Sequence, residues 1–157
     1  YNYMKVLVFD LDDTLLMSNT YKRYRDIQPS YHLNYLLYKL LNKKFIYTNG
    51  TYGHGEDGLN AMKCKDSFQK IYGRDTIPYM KPDFKSFNYV NNDILYNHNL
   101  SDKRIFFDDL QENLKTAHNI GWETVWIHPQ ANNNMKPYYI DHAYTNVIDA
   151  LYSIDLN

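Results

Sequence analysis

At 157 residues with a formal net charge of −1, the chain has the size of one ordinary domain, and its charge balance excludes a polyanion-binding surface spread over the whole molecule. Cys64 is the only cysteine, which excludes an intramolecular disulfide and fits a reducing compartment. No apolar run approaches the ~20 residues that span a bilayer and the first residues lack a signal-peptide core, so a soluble, cytoplasmic protein without membrane partners is expected.

Val6-Leu7-Val8-Phe9 is a continuous run of strand formers that ends at Asp10-Leu11-Asp12-Asp13. Pro29-Ser30 opens a helix over 31–41, in which Tyr31, Tyr35, Leu36 and Leu40 recur at helical spacing and read as core, with a dimer face as the alternative for the stripe; Met17 ahead of it reads as core. Phe45-Ile46-Tyr47 is a second strand ending at Thr48-Asn49-Gly50, and a weaker strand covers 69–72. His54, between Gly53 and Gly55, reads as a residue of a mobile turn, with contact to substrate as the alternative. Lys81-Pro82 leads into a helix over 83–96 that carries Phe84, Phe87, Val90, Ile94 and Leu95. Ile105-Phe106-Phe107 ends at Asp108-Asp109, and a helix over 111–120 stops at Gly121, a natural C-cap. Val125-Trp126-Ile127 is the last strong strand, and Val147, Ile148, Leu151 and Ile154 mark a final amphipathic helix. Apolar runs without alternation imply strands covered on both faces. Their alternation with helices predicts an α/β fold: a doubly wound, Rossmann-like parallel sheet of about five strands with helices on both faces, in one domain over 1–157.

In such sheets ligands bind beyond the carboxyl ends of the strands, and three of the four strong strands here end in polar groups. Gathering Asp10, Asp12, Asp13, Asp108 and Asp109 at one edge is unfavourable by mutual repulsion unless a cation sits among them. A hard, oxygen-loving dication that bridges to phosphate is Mg²⁺. Lys81 then supplies a point charge, Thr48 a hydroxyl, and the amides following Asn49 a face for an anion.

Phe9-Asp10-Leu11-Asp12-Asp13-Thr14-Leu15 resembles the first motif of the haloacid dehalogenase superfamily, an acidic DxDxT sequence after an apolar strand. Tyr47-Thr48-Asn49-Gly50 resembles its second motif, Lys81-Pro82-Asp83 its third, and Phe106-Phe107-Asp108-Asp109-Leu110-Gln111-Glu112-Asn113 its fourth. The four occur in the family's order, which is far more specific than any one of them. The resemblance implies a Mg²⁺-dependent phosphatase in which Asp10 is the nucleophile that forms an aspartyl-phosphate and Asp12 the general acid and base. It implies Asp10, the Asp12 backbone carbonyl, Asp109 and Asp108 (directly or through water) as metal ligands. Thr48, Asn49 and Lys81 would be phosphate-binding, with Asn113 and Thr14 in support. An acid at position 12 argues for phosphomonoester hydrolysis, since dehalogenases do not need it and the family's transport ATPases lack it.

Many members carry a cap domain, yet the segments between Thr14 and Thr48 and between Asn49 and Lys81 are each shorter than the ~40 residues below which domains rarely stand alone. The site is therefore expected to be open, covered only by a flap over 16–29. Within the flap, Tyr21-Lys22-Arg23-Tyr24-Arg25 interleaves cations and aromatics, a pattern suited to stacking on a base and pairing with phosphate, although such runs are more often solvated loops. The first and fourth motifs are also similar in wording to the pyrimidine nucleotidase branch. The expected partner is a phosphorylated small molecule or nucleotide. The alternatives are a macromolecular substrate, such as a nucleic-acid end or a phosphoprotein, and a catalytically idle binding module.

Overall fold

The apolar runs are the strands of one parallel sheet in the computed structural model, which describes residues 4–98, 100, 101 and 103–157. Its strands are β1 (Val6–Phe9), β2 (Lys44–Tyr47), β3 (Lys70–Tyr72), β4 (Arg104–Asp108), β5 (Glu123–Ile127) and β6 (His142–Tyr144), in the spatial order β3-β2-β1-β4-β5-β6. Every neighbouring pair is parallel, with Val8 opposite Phe45 on one side and Phe106 on the other. β6 goes beyond the five strands expected. It is three residues long, pairs on one side only and buries Ala143 alone, so it carries almost no strand signature.

Among the described residues, five α-helices cover the sheet: α1 (Tyr31–Lys39), α2 (Tyr52–Ala61), α3 (Phe84–Asn92), α4 (Gln111–Asn119) and α5 (Val147–Ser153). Successive strand residues point to opposite faces. Leu7, Phe9, Ile46 and Phe107 accordingly pack with Leu33 and Leu37 of α1, Leu59 of α2 and Leu151 of α5. Val6, Val8, Phe45, Tyr47 and Phe106 pack instead with Phe87 and Val90 of α3 and with Leu114 and Ala117 of α4. The chain thus crosses to one face after β1 and to the other after β3, and β1 lies where these crossovers part. That is the switch point at which open α/β sheets hold ligands.

Local sequence sets the helix ends. Ser30, Thr51, Asp83 and Asn146 each accept a backbone N–H from the first turn of α1, α2, α3 and α5. Gly121, at φ +89°, takes the left-handed conformation that ends α4. In α1, the side chains turned to the core are Leu33 and Leu37. Tyr31, Tyr35 and Met17, read from the sequence as core, are exposed instead. Cys64 is buried and its thiol is pushed up to about 12 by that burial, as suits a small packing residue. No helix among the described residues is long and apolar enough to cross a membrane.

Candidate active site

Asp10 follows β1 directly and is almost fully buried. Its Oδ1 accepts a hydrogen bond from Lys81 Nζ at 3.0 Å and its Oδ2 one from Thr14 Oγ1 at 3.0 Å. The Lys81 ammonium is itself buried and donates also to Asp108 Oδ2 at 2.9 Å and to the Tyr47 carbonyl at 2.8 Å. Burial alone pulls a lysine's pKa down, but the Asp10 and Asp108 charges outweigh it and hold Lys81 above its ordinary range. Asp108, the last residue of β4, is fully buried and also accepts from Asn113 Nδ2 at 3.1 Å and from the Leu110 backbone N–H at 2.8 Å. The sequence reading has Asp108 as a metal ligand; its protein contacts are those of a counter-ion to Lys81.

Asp109 stands beside Asp10, and burial raises both carboxyls to about 6. For Asp10, Lys81 opposes that rise, and a hydrogen bond between the Asp10 and Asp109 carboxyls adds to it. Asp109 is held in turn by its backbone, whose carbonyl accepts from Trp126 Nε1 at 2.9 Å. One oxygen from each of Asp10, Asp108 and Asp109 lies within 4.8 Å of the others. Asn113, buried at the N-terminal end of α4, leaves its Oδ1 without a hydrogen-bond partner. Three clustered carboxylates balanced by a single ammonium, an orphaned amide oxygen, and a donor set free of sulfur and imidazole fit a hard dication such as Mg²⁺.

The cleft over this cluster has a volume of about 270 Å³ and is lined by Asp10, Asp12, Asp13, Thr48, Asn49, Gly50, Lys81, Asp109, Leu110 and Asn113. Thr48 lies buried at the end of β2, its Oγ1 accepting from the Gly50 N–H at 3.0 Å. Asn49 spends its side chain on the backbone of Lys81, donating to the carbonyl and accepting from the N–H, both at 2.9 Å. It therefore braces the loop that presents the lysine. Asp13, in the left-handed region at φ 61°, accepts with its Oδ1 from Ser18 N and Oγ at 2.8 and 2.7 Å, anchoring the flap.

The Asp12 carboxylate meets a residue that the sequence did not place. His54 Nε2 lies 2.9 and 3.0 Å from its two oxygens, and His54 Nδ1 lies 2.7 Å from the hydroxyl of Tyr24 in the flap. His54 sits in the first turn of α2, where its backbone N–H donates to the capping Thr51 Oγ1 at 3.1 Å. The flanking glycines suggested a mobile turn; the helix forms because Thr51 caps it and Leu59 anchors its inner face.

The two raised carboxyls set a pH dependence. In the unfolded chain Asp titrates near ~3.9, so between about 4 and about 6 the folded form binds more protons. Their contribution to stability is therefore present at low pH and is lost as pH rises to about 6. In chelator, Asp109→Asn is expected to flatten the fall in unfolding free energy between pH 5 and 7.5, by on the order of 1 kcal/mol after allowing for solvent around the half-buried Asp109. Parallel curves for the variant and the unaltered protein would show that the carboxyls are not coupled as described.

A family model described as haloacid dehalogenase-like hydrolase matches residues 16–127, beginning just past the loop that carries Asp10 and Asp12. No curated protein is similar to the chain in sequence. Among solved structures, the Bacillus subtilis protein YfnB, described as a HAD-hydrolase bound to magnesium, superposes with a TM-score of 0.70 at 15% identity, over 96% of this chain and 98% of that one. The L-2-haloacid dehalogenase of Xanthobacter autotrophicus with chloropropionic acid covalently bound gives 0.63 at 15% identity, over 82% and 62%. A protein from Haemophilus somnus described as a predicted phosphoglycolate phosphatase gives 0.62 at 21% identity, over 78% and 55%. The chain thus spans little more than half the length of these last two. At such identities the likeness is one of fold.

Proposed function

The chain belongs to the haloacid dehalogenase-like hydrolases, and from that premise we propose that it is a Mg²⁺-dependent phosphomonoesterase working through an aspartyl-phosphate on Asp10. The observation that carries this reading is the second carboxylate, Asp12, on the same loop and lining the same cleft as Asp10. Halide needs no proton to depart, whereas an alkoxide does, so an acid beside the nucleophile favours phosphate esters over haloacids.

Asp10 attacks phosphorus as the bond to the leaving oxygen breaks, and Asp12 gives that oxygen a proton. Asp12, now a carboxylate, takes a proton from water as the water oxygen attacks phosphorus and releases Asp10. Lys81 holds Asp10 in place and offsets its charge, while Thr48 and the turn after it face the phosphoryl oxygens. A Mg²⁺ ion held by Asp10, Asp109 and the Asp12 carbonyl, with Asp108 beside them, would let the anionic ester approach the anionic nucleophile. For the substrate, a nucleotide is supported by the flap: Tyr21 and Tyr24 stack at 6.5 Å between centroids, with Lys22 and Arg25 exposed beside them.

A release screen tests this with an aryl phosphate, 5′-nucleotides, sugar phosphates, a phosphopeptide, a 5′-phosphorylated oligonucleotide and 2-chloropropionate, each with Mg²⁺ and with chelator. Inorganic phosphate is expected from at least one ester, and only with Mg²⁺. Chloride from chloropropionate with no phosphate from any ester would replace the phosphatase reading by a dehalogenase one. Silence across the panel would favour an idle binding module.

A further inference from the structure

Three segments meet around the Asp12 carboxylate: the loop after β1, the flap that follows it and, further along the chain, the first turn of α2. His54 is the piece between them, with Nε2 on both Asp12 oxygens and Nδ1 on the Tyr24 hydroxyl. Both contacts are satisfied when the Tyr24 O–H donates to Nδ1 and the ring's N–H sits on Nε2, directed at Asp12. The ring also lies close over the turn: a methyl group at Gly50 would come within 3.0 Å of His54 Cδ2, so a side chain there would press on the ring and glycine leaves it undisturbed. The Tyr24 and His54 rings lie against one another at 5.7 Å between centroids.

We infer that His54 is a positioning residue for the acid–base group: it holds the Asp12 carboxyl toward the cleft, and Tyr24 holds His54, so that the seating of the flap sets the aim of the acid. An aspartate on a loop has several rotamers of similar energy, and a donor contacting both oxygens selects one of them. When substrate binds, one Asp12 oxygen carries the proton that goes to the leaving oxygen, while the other keeps its contact with Nε2. After the leaving group departs, the same contact holds Asp12 as it takes a proton from water. The inference rests on the phosphomonoesterase reading, in which Asp12 is the acid.

Leaving-group dependence is the test, because a group that aims an acid matters only where a proton is needed. kcat/KM reports the phosphorylation of Asp10, and is measured with Mg²⁺ for an alkyl phosphate and for 2,4-dinitrophenyl phosphate, whose leaving group departs unprotonated. His54→Ala is expected to lower kcat/KM for the alkyl ester by on the order of 10- to 100-fold, part of the ~10²–10⁴ that acid catalysis supplies, and for the dinitrophenyl ester by less than about 3-fold. His54→Gln, which keeps a side-chain N–H, should recover much of the alkyl rate, and Tyr24→Phe should show the same pattern in smaller measure. Equal losses on the two esters, or no loss on either, overturn the role given to His54 while leaving the phosphatase reading intact. If the unaltered protein turns over neither ester, that reading falls and this inference with it.

Discussion

Asp10→Asn should abolish phosphate release, by on the order of 10⁴-fold or more, without lowering the melting temperature. The two halves of that expectation have one cause. Asn keeps an oxygen to accept from Thr14 Oγ1; the contact with Lys81 Nζ is lost, but the ammonium still pairs one-to-one with Asp108 and keeps the Tyr47 carbonyl, so no buried charge is left without a partner. What disappears is the anion. As a nucleophile it has no substitute, because an amide neither attacks phosphorus nor leaves from it, and removing the nucleophile of a covalent mechanism removes nearly all of its chemistry. As a structural element it is an encumbrance: burial lifts the Asp10 carboxyl to about 6, and holding it ionised at neutral pH opposes folding. At pH 7.5 in chelator the variant should therefore melt at the same temperature as the unaltered protein or above it, the usual relation between a strained active site and stability. Phosphate release that persists in Asp10→Asn would remove the nucleophile assignment.

How much of this was legible in the sequence depends on whether the cause of each feature is local. Asp10, Thr48 and Asp109 stand out because each closes an apolar strand, and a parallel sheet brings such ends to one edge whatever the details. Lys81 is legible beside its helix-entry proline. The partner that commits Asn49 is not, because the amide pairs with backbone 32 residues away. Asp108 and Asp109 read alike in the sequence as adjacent acids, and only depth separates them: Asp108 lies inside β4 against Lys81, while Asp109 is one residue out. Of the α1 stripe, Leu36 and Leu40 do pack against the core, and the tyrosines do not for a chemical reason. Tyrosine carries an apolar ring and a hydroxyl that water satisfies, so Tyr31 and Tyr35 follow a helical period without marking the buried side, which belongs to Leu33 and Leu37. His54 hid behind the glycines on either side, which suppress the helical pattern. The one available signal was Thr51 three residues before it, a capping residue at the spacing that starts a helix.

Lys81→Met should be the most damaging single change to the fold of the site as well as to its chemistry. Methionine fills a similar volume, so the effect isolates the charge. The ammonium is buried among two carboxylates, a carbonyl and the rings of Tyr47 and Phe106, whose centroids lie 4.9 and 5.4 Å away. Taking one partner from a buried ion pair typically costs about 3–5 kcal/mol, since the charges left behind are neither hydrated nor paired. For a domain of this size that is a fall in melting temperature of roughly 10 °C. The sign of its pH dependence follows from what remains. Without Lys81, Asp10 and Asp108 lose the influence that lowers both their pKa values, and each takes up protons more readily in the folded state. The variant's deficit should then shrink as pH falls from 7.5 toward 5, since protonation neutralises the carboxylates that the missing cation had balanced. Mg²⁺ supplies charge to the same cluster, so at pH 7.5 it should raise the melting temperature of Lys81→Met by more than that of the unaltered protein, while phosphate release stays absent. A deficit that neither acid nor Mg²⁺ reduces would mean that Lys81 is held for its packing, and that Asp10 and Asp108 are not the charges it balances.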